Sequence, residues 1–371
     1  MPLRASISAI PASLPRSALL RMVRVVRLLH RLSHDAVYRQ AVLPGLPAAA
    51  QCDPGHDAVM MGYDFHLDAD GNPQIIEVNT NAGGALLAWL AHYPAAATAR
   101  ECLPERLRWK FLQAFAEEMQ RFSRGELTRP RSIVILDEKP QEQFLYREMQ
   151  AFAELFREWG VDTWIADPGE LSAGDEGVYI VGRRVDMVYN RHCDFYLESA
   201  PLAGLRAAYR ARTVCLTPNP FIYGLLADKQ RLIRWADSAW LSELGLAPQE
   251  VRLLTSAVPE SRMLADCERE SLWRDRNRWV FKPVDRFGSR GVLLGRKISR
   301  ARFATLPPAA TLVQREVPPS ETLQGDGSSM KTDFRLYAYR NRVLGLTARL
   351  YQGQVTNLRT PGGGFAPVRV R

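Results

Sequence analysis

The sequence predicts an α/β protein built of α+β lobes, and three stretches predict it. Residues 132–167 run from a short apolar strand, SIVILD, through an amphipathic helix over 142–160 to a second strand, VDTWIAD. That is a strand–helix–strand unit with a parallel pair. Residues 59–84, VMMGYDFHLDADGNPQIIEVNTNAGG, read as a strand, a turn at Asp68–Pro73, a second strand and a Gly-ended loop. Residues 333–353, DFRLYAYRNRVLGLTARLYQG, alternate as two strands turning near Asn341. At 371 residues the chain exceeds one small core, so two or three domains or lobes are expected.

The remaining elements follow in order. Residues 1–58 are helical and then loop-like, ending in a Pro/Ala/Gly stretch at 43–55. Within them SALLRMVRVVRLLHRLS, 17–33, has the pattern of a basic amphipathic helix. A core-packed helix with an Arg face is the reading; a membrane-surface or targeting role is the alternative. Residues 85–124 are helical, including the amphipathic run 106–122, and the polar stretch 123–131 marks a boundary. Gly160 suits the position just past a helix C-terminus. Strands are expected at 178–181 and 185–191. Leu216–Pro220 turns into a helix carrying Asp228, Lys229 and Trp235. Residues 279–297 read as strand, loop and strand, and 311–319 as a strand ended by two prolines. No internal repeat is evident.

Composition excludes several classes. Hydrophobic content of 46% and charged content of 24% are those of an ordinary globular protein. The 5 cysteines form no C-x-x-C pair, which suggests neither a zinc site nor a disulfide framework and favours a reducing cytoplasm. No apolar run reaches the ~18–20 residues of a membrane span. The N-terminus lacks the uninterrupted apolar core of a secretory signal. The net charge of +9 is compatible with nucleic acid, and equally with nucleotide phosphates and an acidic substrate. The bases are spread along the chain with no aromatic-interleaved tract, so nucleic acid is not the expected partner.

Chemistry concentrates at two places. In the first hairpin Glu77 and Asn79 lie two apart on one strand and therefore point to one side, with Asp64 on the partner strand. Ile76 and Val78 are expected on the opposite, buried face. Such a polar face is ordinarily just solvated, but an Asp, a Glu and an Asn converging make an all-oxygen site that suits Mg²⁺. The loop Asn81–Gly84 supplies small residues where backbone comes close to something. In the second place Lys282 ends a strand and is followed by Asp285, Gly288, Ser289 and Gly291. A strand-end Lys reaches phosphate oxygens as a point charge, and a Gly/Ser loop offers backbone N–H groups to them. This is not the G-x-x-x-x-G-K-[ST] loop, and without G-x-G-x-x-G dinucleotide binding is not supported.

Together FKPVDRFGSRGV, LVQREVPPSE, DFRLYAYRNRVLGLTAR and the 59–84 hairpin resemble segments of the ATP-grasp fold. The resemblance is to ligases of the D-alanine–D-alanine ligase, glutathione synthetase and glutathionylspermidine synthetase types. The E-x-N strand comes early and the lysine loop and hinge come late, so the resemblance implies a circularly permuted order with an inserted pre-ATP-grasp-like α/β domain. It implies N-terminal helices with the metal-binding part of the large lobe over 1–125, the inserted domain over 131–225, a small lobe over 226–310, and the hinge with the rest of the large lobe over 311–371.

The resemblance assigns roles residue by residue. Asp64, Glu77 and Asn79 become metal ligands, with Asp285 as a rival to Asp64. Lys229 and Lys282 contact ATP phosphates together with Gly288, Ser289 and Gly291. Gln314 lies near the adenine amino group, the backbone from Arg315 to Val317 meets the ring edge, and Glu321 holds the ribose. Arg335 and Arg349 stand over the transferring phosphate. The sequence departs from some ligases in having Gly62 two residues before Asp64 instead of Arg, which leaves Arg349 and Arg359 as candidates for that charge. The polar loop of Thr356, Asn357, Arg359 and Gly362–Gly364 belongs at the acceptor side. The implied activity is an ATP- and Mg²⁺-dependent carboxylate–amine ligase, Mn²⁺ also being compatible, that acts through an acyl phosphate with amine or thiol capture. The alternatives are a kinase or an ATP-binding protein with the same nucleotide site, and a basic nucleic-acid-binding protein as the outsider.

Overall fold

The computed structural model describes residues 6–93, 104–285, 291–325, 327–358 and 360–371. Its central sheet is antiparallel and draws strands from both ends of the chain. Met61–Leu67 and Pro73–Asn79 form the first hairpin. Met61–Leu67 also pairs with Ser329–Tyr339, which pairs with Arg342–Tyr351, and that strand with Gly364–Ala366. Ser320–Leu323 lies beside the start of Ser329–Tyr339. Because side chains alternate along a strand, Phe334, Leu336, Ala348 and Leu350 turn away from the polar residues between them. They join Tyr63, Phe65 and Val78 in one core with Met22, Val25, Val26 and Leu29 of helix Arg16–Ser33.

That helix is core-packed, as its period suggests. On its basic side Arg21 donates to Asn72 Oδ1 at 2.8 Å, and Arg31 pairs with Glu250 at 2.6 Å. Among the described residues no helix is long and apolar enough to cross a membrane.

A second sheet is fully parallel, in the order Cys215–Thr217, Met187–Asn190, Ser132–Leu136, Asp162–Ala166. Ile133 and Ile135 face Phe115, Phe152 and Phe156, while Val134, Leu136 and Val188 face Leu205 and Tyr209. Cover on both faces explains the unbroken apolar run of Ser132–Leu136. The chain enters this sheet at Ser132–Leu136, moves to one side, then crosses to Met187–Asn190 on the other. The helix expected over 142–160 spans Tyr146–Glu158, since Pro140–Glu142 takes a separate tight turn. Gly160 follows with φ +78°, the left-handed conformation that closes a helix. Gly177–Ile180 does not join the parallel sheet; tight connections on both sides place it in a small antiparallel sheet with Ser172–Gly174 and Arg183–Arg184.

The third sheet is antiparallel, in the order Ser261–Met263, Thr311–Arg315, Trp279–Pro283, Leu293–Leu294. It has its own core of Leu264, Leu272, Trp279, Phe281, Phe303 and Val313. The strand expected over 311–319 ends at Arg315.

Glu118 of helix Glu105–Phe122 ties the parallel and central sheets together. Fully buried, its carboxylate meets His56 Nδ1 at 2.8 Å and accepts from Thr217 Oγ1 at 3.0 Å, Tyr339 Oη at 2.9 Å and the Asp57 amide at 3.1 Å. Burial opposes charge on His56, but Cys215 and Glu118 beside it push its pKa well above the ordinary value. The stabilisation from the charged pair is therefore complete below the unfolded pKa of ~6.5 and is lost as pH rises through the folded value. Glu118→Ala removes four hydrogen-bond partners at once and should lower stability by about 3–5 kcal/mol. A shift in the urea midpoint checks this, and the deficit of the variant should be larger at pH 6 than in strongly alkaline buffer.

Candidate functional site

The polar face of the central sheet is set by strand period and register. On Ser329–Tyr339 the residues Lys331, Asp333 and Arg335 share one face, and Arg349 and Tyr351 share it on the next strand. Asp64 stands opposite both Glu77 and Arg335, and Asp333 opposite Arg349. One element differs from the plain alternation. Asp64 pairs with Glu77 but Phe65 pairs with Ile75, so Ile76 lies in a β-bulge. The bulge places Ile75 and Val78 in the core at 0% and 5% exposure, not Ile76 and Val78. Ile76 instead lines the cleft, and its carbonyl accepts from Lys282 Nζ at 3.1 Å.

Asp64 is the anchor of this face. Arg335 donates to both its oxygens, Nε at 2.5 Å and Nη2 at 2.7 Å, and Arg349 Nη2 adds a third bond at 2.9 Å. Asn79 Nδ2 lies 3.3 Å from the same carboxylate. Four donors take up essentially all of its acceptor capacity. Burial alone would raise the Asp64 pKa, but Arg335 and Arg349 hold it down at about 2. Arg349 is shared with Asp333, whose Oδ1 accepts from Nε at 2.6 Å and whose Oδ2 accepts from Thr356 at 2.7 Å. Gly62 has a packing reason here: a Cβ at that position would lie 2.5 Å from Ala82 Cβ and 3.2 Å from Arg335 Nε.

Two lysines enter from outside the sheet. Lys229 lies between a wide helical turn, Tyr223–Ala227, and helix Arg231–Ala236, and its Nζ is 3.4 Å from Glu77 Oε1. Lys282, on the third sheet, donates to Gln314 Oε1 at 2.6 Å. Burial pushes the Lys282 pKa down to about 8, against the pull of Glu77 and with the push of Lys229. These side chains line one cleft of about 440 Å³ between the central and third sheets.

No family model and no curated protein matches the sequence. Solved structures do match. A protein of Methylobacillus flagellatus KT, provisionally named a gamma-glutamylcysteine synthetase, superposes with TM-score 0.53 over 94% of this chain and 86% of that chain, at 12% identity. The ATP-grasp ligase PsnB with a phosphomimetic precursor variant, Mg and ADP aligns at 15% identity and TM-score 0.31, over 57% of this chain and 87% of that one. The chain shares its fold with the Methylobacillus protein.

In this cleft the structure brings together Asp64, Glu77, Asn79, Lys229, Lys282, Gln314, Arg315, Val317, Arg335 and Arg349. Gln314 spends its carboxamide on Lys282 and on Ser261 Oγ, 3.2 Å away. Glu321 does not join them: it is exposed on Ser320–Leu323 and accepts from Ser329 at 2.9 Å. Gly291 sits in an exposed turn outside the cleft wall, with φ +77°. Asp285 lines a neighbouring cavity instead of the Glu77 side. Gly288, Ser289 and Arg359 lie outside the described residues. The loop Asn81–Gly84 approaches side chains: a Cβ on Gly83 would meet Leu145 and Arg191, and one on Gly84 would meet Phe365 at 1.9 Å.

Sequence reasoning missed Asp333 and His66. Asp333 is two residues before Arg335, and strand period alone puts both on one face. His66 Nδ1 lies 2.6 Å from the Val317 carbonyl and ties the first hairpin to the segment after Thr311–Arg315. For a hard divalent cation, Glu77 and the carbonyl oxygen of Asn79 are the fitting donors, because Asp64 is committed to the arginines.

The depressed Asp64 pKa gives a pH signature. A carboxylate held below its unfolded value stabilises the fold above that value, ~3.9, and loses the contribution as pH falls through about 2. Asp64→Asn should flatten that acid limb in pH-dependent unfolding, whereas the parent chain loses about 2 kcal/mol across it. Asp64→Ala, which strands the buried Arg335 guanidinium and leaves Arg349 with Asp333 alone, should cost about 3–5 kcal/mol in a denaturant titration at pH 7.

Proposed function

We propose that this chain is an ATP- and Mg²⁺-dependent carboxylate–amine ligase that works through an acyl phosphate. One observation carries the reading: Lys229, Lys282, Arg335 and Arg349 come from separate elements to a single cleft that also holds Glu77 and Asn79. Four cations facing one cleft fit a polyphosphate, and an oxygen-donor strand beside them fits the cation that accompanies it. Glu77 and the Asn79 carbonyl would hold Mg²⁺, or Mn²⁺ in the same donors. When bound, the ion supplies neutralisation of charge on the transferring phosphoryl group.

The protein's own part is positioning and electrostatics. Lys229 and Lys282 bind phosphate oxygens as point charges. Arg335 and Arg349, fixed by Asp64 and Asp333, present guanidinium N–H groups to the phosphoryl group in flight. A substrate carboxylate oxygen attacks the γ-phosphorus and ADP departs. The nitrogen of an amine then attacks the acyl carbon, phosphate leaves, and the amine gives up a proton as the amide forms. The segment with Thr356 and Asn357 closes the acceptor end of the cleft. The early hairpin and late strands in one sheet are consistent with a permuted order of the fold, with the parallel sheet as the inserted domain.

The test is an ADP-release screen with Mg²⁺ against amino acids, short peptides and polyamines, followed by mass analysis of the product. Turnover with an amide product is expected. Lys282→Ala and Glu77→Gln should each lower it by about 10²–10³-fold. Flat ADP output across the panel in protein that binds ATP overturns the reading, and a phosphorylated product with no amide replaces it with a kinase.

A further inference from the structure

A second cavity, of about 620 Å³, lies beside the first. Residues consecutive in sequence line the two: Asp228 precedes Lys229, and Val284 and Asp285 follow Lys282 and Pro283. Its charge is the reverse of the chain's. Asp137, Glu138, Asp194, Glu198, Asp228 and Asp285 line it, with no lysine or arginine among the described lining residues, in a protein whose net charge is +9.

Three further features give it the chemistry of a built site. The first is its place in the fold. Asp137 and Glu138 directly follow strand Ser132–Leu136, and His192 follows strand Met187–Asn190. Between those two neighbours the parallel sheet reverses its strand order. Open parallel sheets bind ligands at the carboxyl ends of strands at such a reversal. The second is Asp137 itself, only 8% exposed. One carboxylate oxygen accepts from the Glu138 amide at 2.9 Å. The other makes no hydrogen bond among the described residues. The nearby cation, Arg191, is committed to the Ala82 carbonyl at 3.1 Å and the Tyr189 hydroxyl at 3.3 Å. Burial pushes the Asp137 pKa up to about 6 despite that neighbour, so the carboxylate lacks a full counter-charge. The third is an aromatic wall. Phe195 stacks on Tyr223 with centroids 4.2 Å apart, and Tyr196 meets the edge of Tyr223 at 5.0 Å. Tyr196 is held in place by donating to Asp228 Oδ2 at 2.7 Å.

Acidic groups beside aromatic rings select among cations. A small divalent ion keeps its water and gains little from a ring face, whereas an alkylammonium group loses water readily and is attracted to the ring quadrupole. We propose that this cavity binds an aliphatic ammonium group through Asp137 and the Phe195–Tyr196–Tyr223 wall. As a binding site the cavity stands on its own features. Its role as the subsite for the amine acceptor rests on the ligase reading, in which the segments 228–229 and 282–285 that line both cavities would set the amine nitrogen beside the phosphate cleft.

The test is calorimetric titration of the full chain with 1,4-diaminobutane at pH 8 and low salt, with 1,4-butanediol and Mg²⁺ alone as parallel titrants. Binding of a fluorescent ATP analogue is followed in the same variants. Saturable diamine binding and none of the diol is expected. Asp137→Asn should weaken the diamine by at least about tenfold, the effect of one buried charged hydrogen bond. Glu138→Gln, at an exposed position, should weaken it less, and both variants should bind nucleotide as the parent does. Absence of saturable diamine binding, equal binding by Asp137→Asn, or displacement of diamine by millimolar Mg²⁺ at constant ionic strength would each overturn the proposal. A chain that binds diamine but turns over no ATP keeps the cation site and removes the ligase reading; a chain that turns over ATP without binding diamine does the reverse.

Discussion

Two guanidinium groups buried side by side repel each other and shed their water, and such an arrangement survives only with carboxylates placed between them. Asp64 and Asp333 do this for Arg335 and Arg349. The placement depends on register. Asp64 faces Arg335 only because Met61–Leu67 pairs with Ser329–Tyr339 in one alignment, and a slip of one residue would send Asp64 into the apolar core and leave Arg335 without it. The ion-pair lattice and the hydrophobic alternation therefore specify the same pairing from opposite faces of the sheet. A hairpin from the start of the chain and strands from its end are locked together by that agreement.

Much of this was legible in the sequence because it rests on period two. The alternation in 59–84 and in 333–353 announces strands and puts Glu77 and Asn79 on one side, while Arg335 and Arg349 were picked out by the resemblance of their strands. The parallel unit was readable from the apolar run at Ser132–Leu136 and the helix that follows it. What escaped was whatever breaks the period or closes across long separations. The bulge at Ile76 adds a residue that alternation cannot anticipate, so the buried pair became Ile75 and Val78. The small antiparallel sheet around Gly177–Ile180 depends on tight turns, and four apolar residues look alike in either kind of sheet. Glu321 resembled a ribose-binding carboxylate by position, yet Ser320–Leu323 folds as an edge strand that turns it to solvent.

Glycines show the same limit. Spacing marked Gly83 and Gly84 as places of close approach without naming the neighbour. The neighbours are Arg191 and Leu145 from the parallel-sheet region and Phe365 from near the C-terminus, none of them near in sequence. Asp64 likewise presented itself as one of three equivalent oxygen donors, and only the surroundings separate it from Glu77 and Asn79. Identity of a side chain gives its capacity to accept; the number of donors already present decides what capacity is left.

The bulge at Ile76 has a mechanical side. Its carbonyl, freed from the strand ladder, is held by the ammonium of Lys282 on another sheet. That bond spans the two walls of the cleft, so it behaves as a latch. Any acceptor that took up the Lys282 hydrogens would compete for this bond, while the contact of His66 with the Val317 carbonyl would stay in place. One tie between the walls is thus open to exchange, with a single irregular residue in a seven-residue strand serving as its catch.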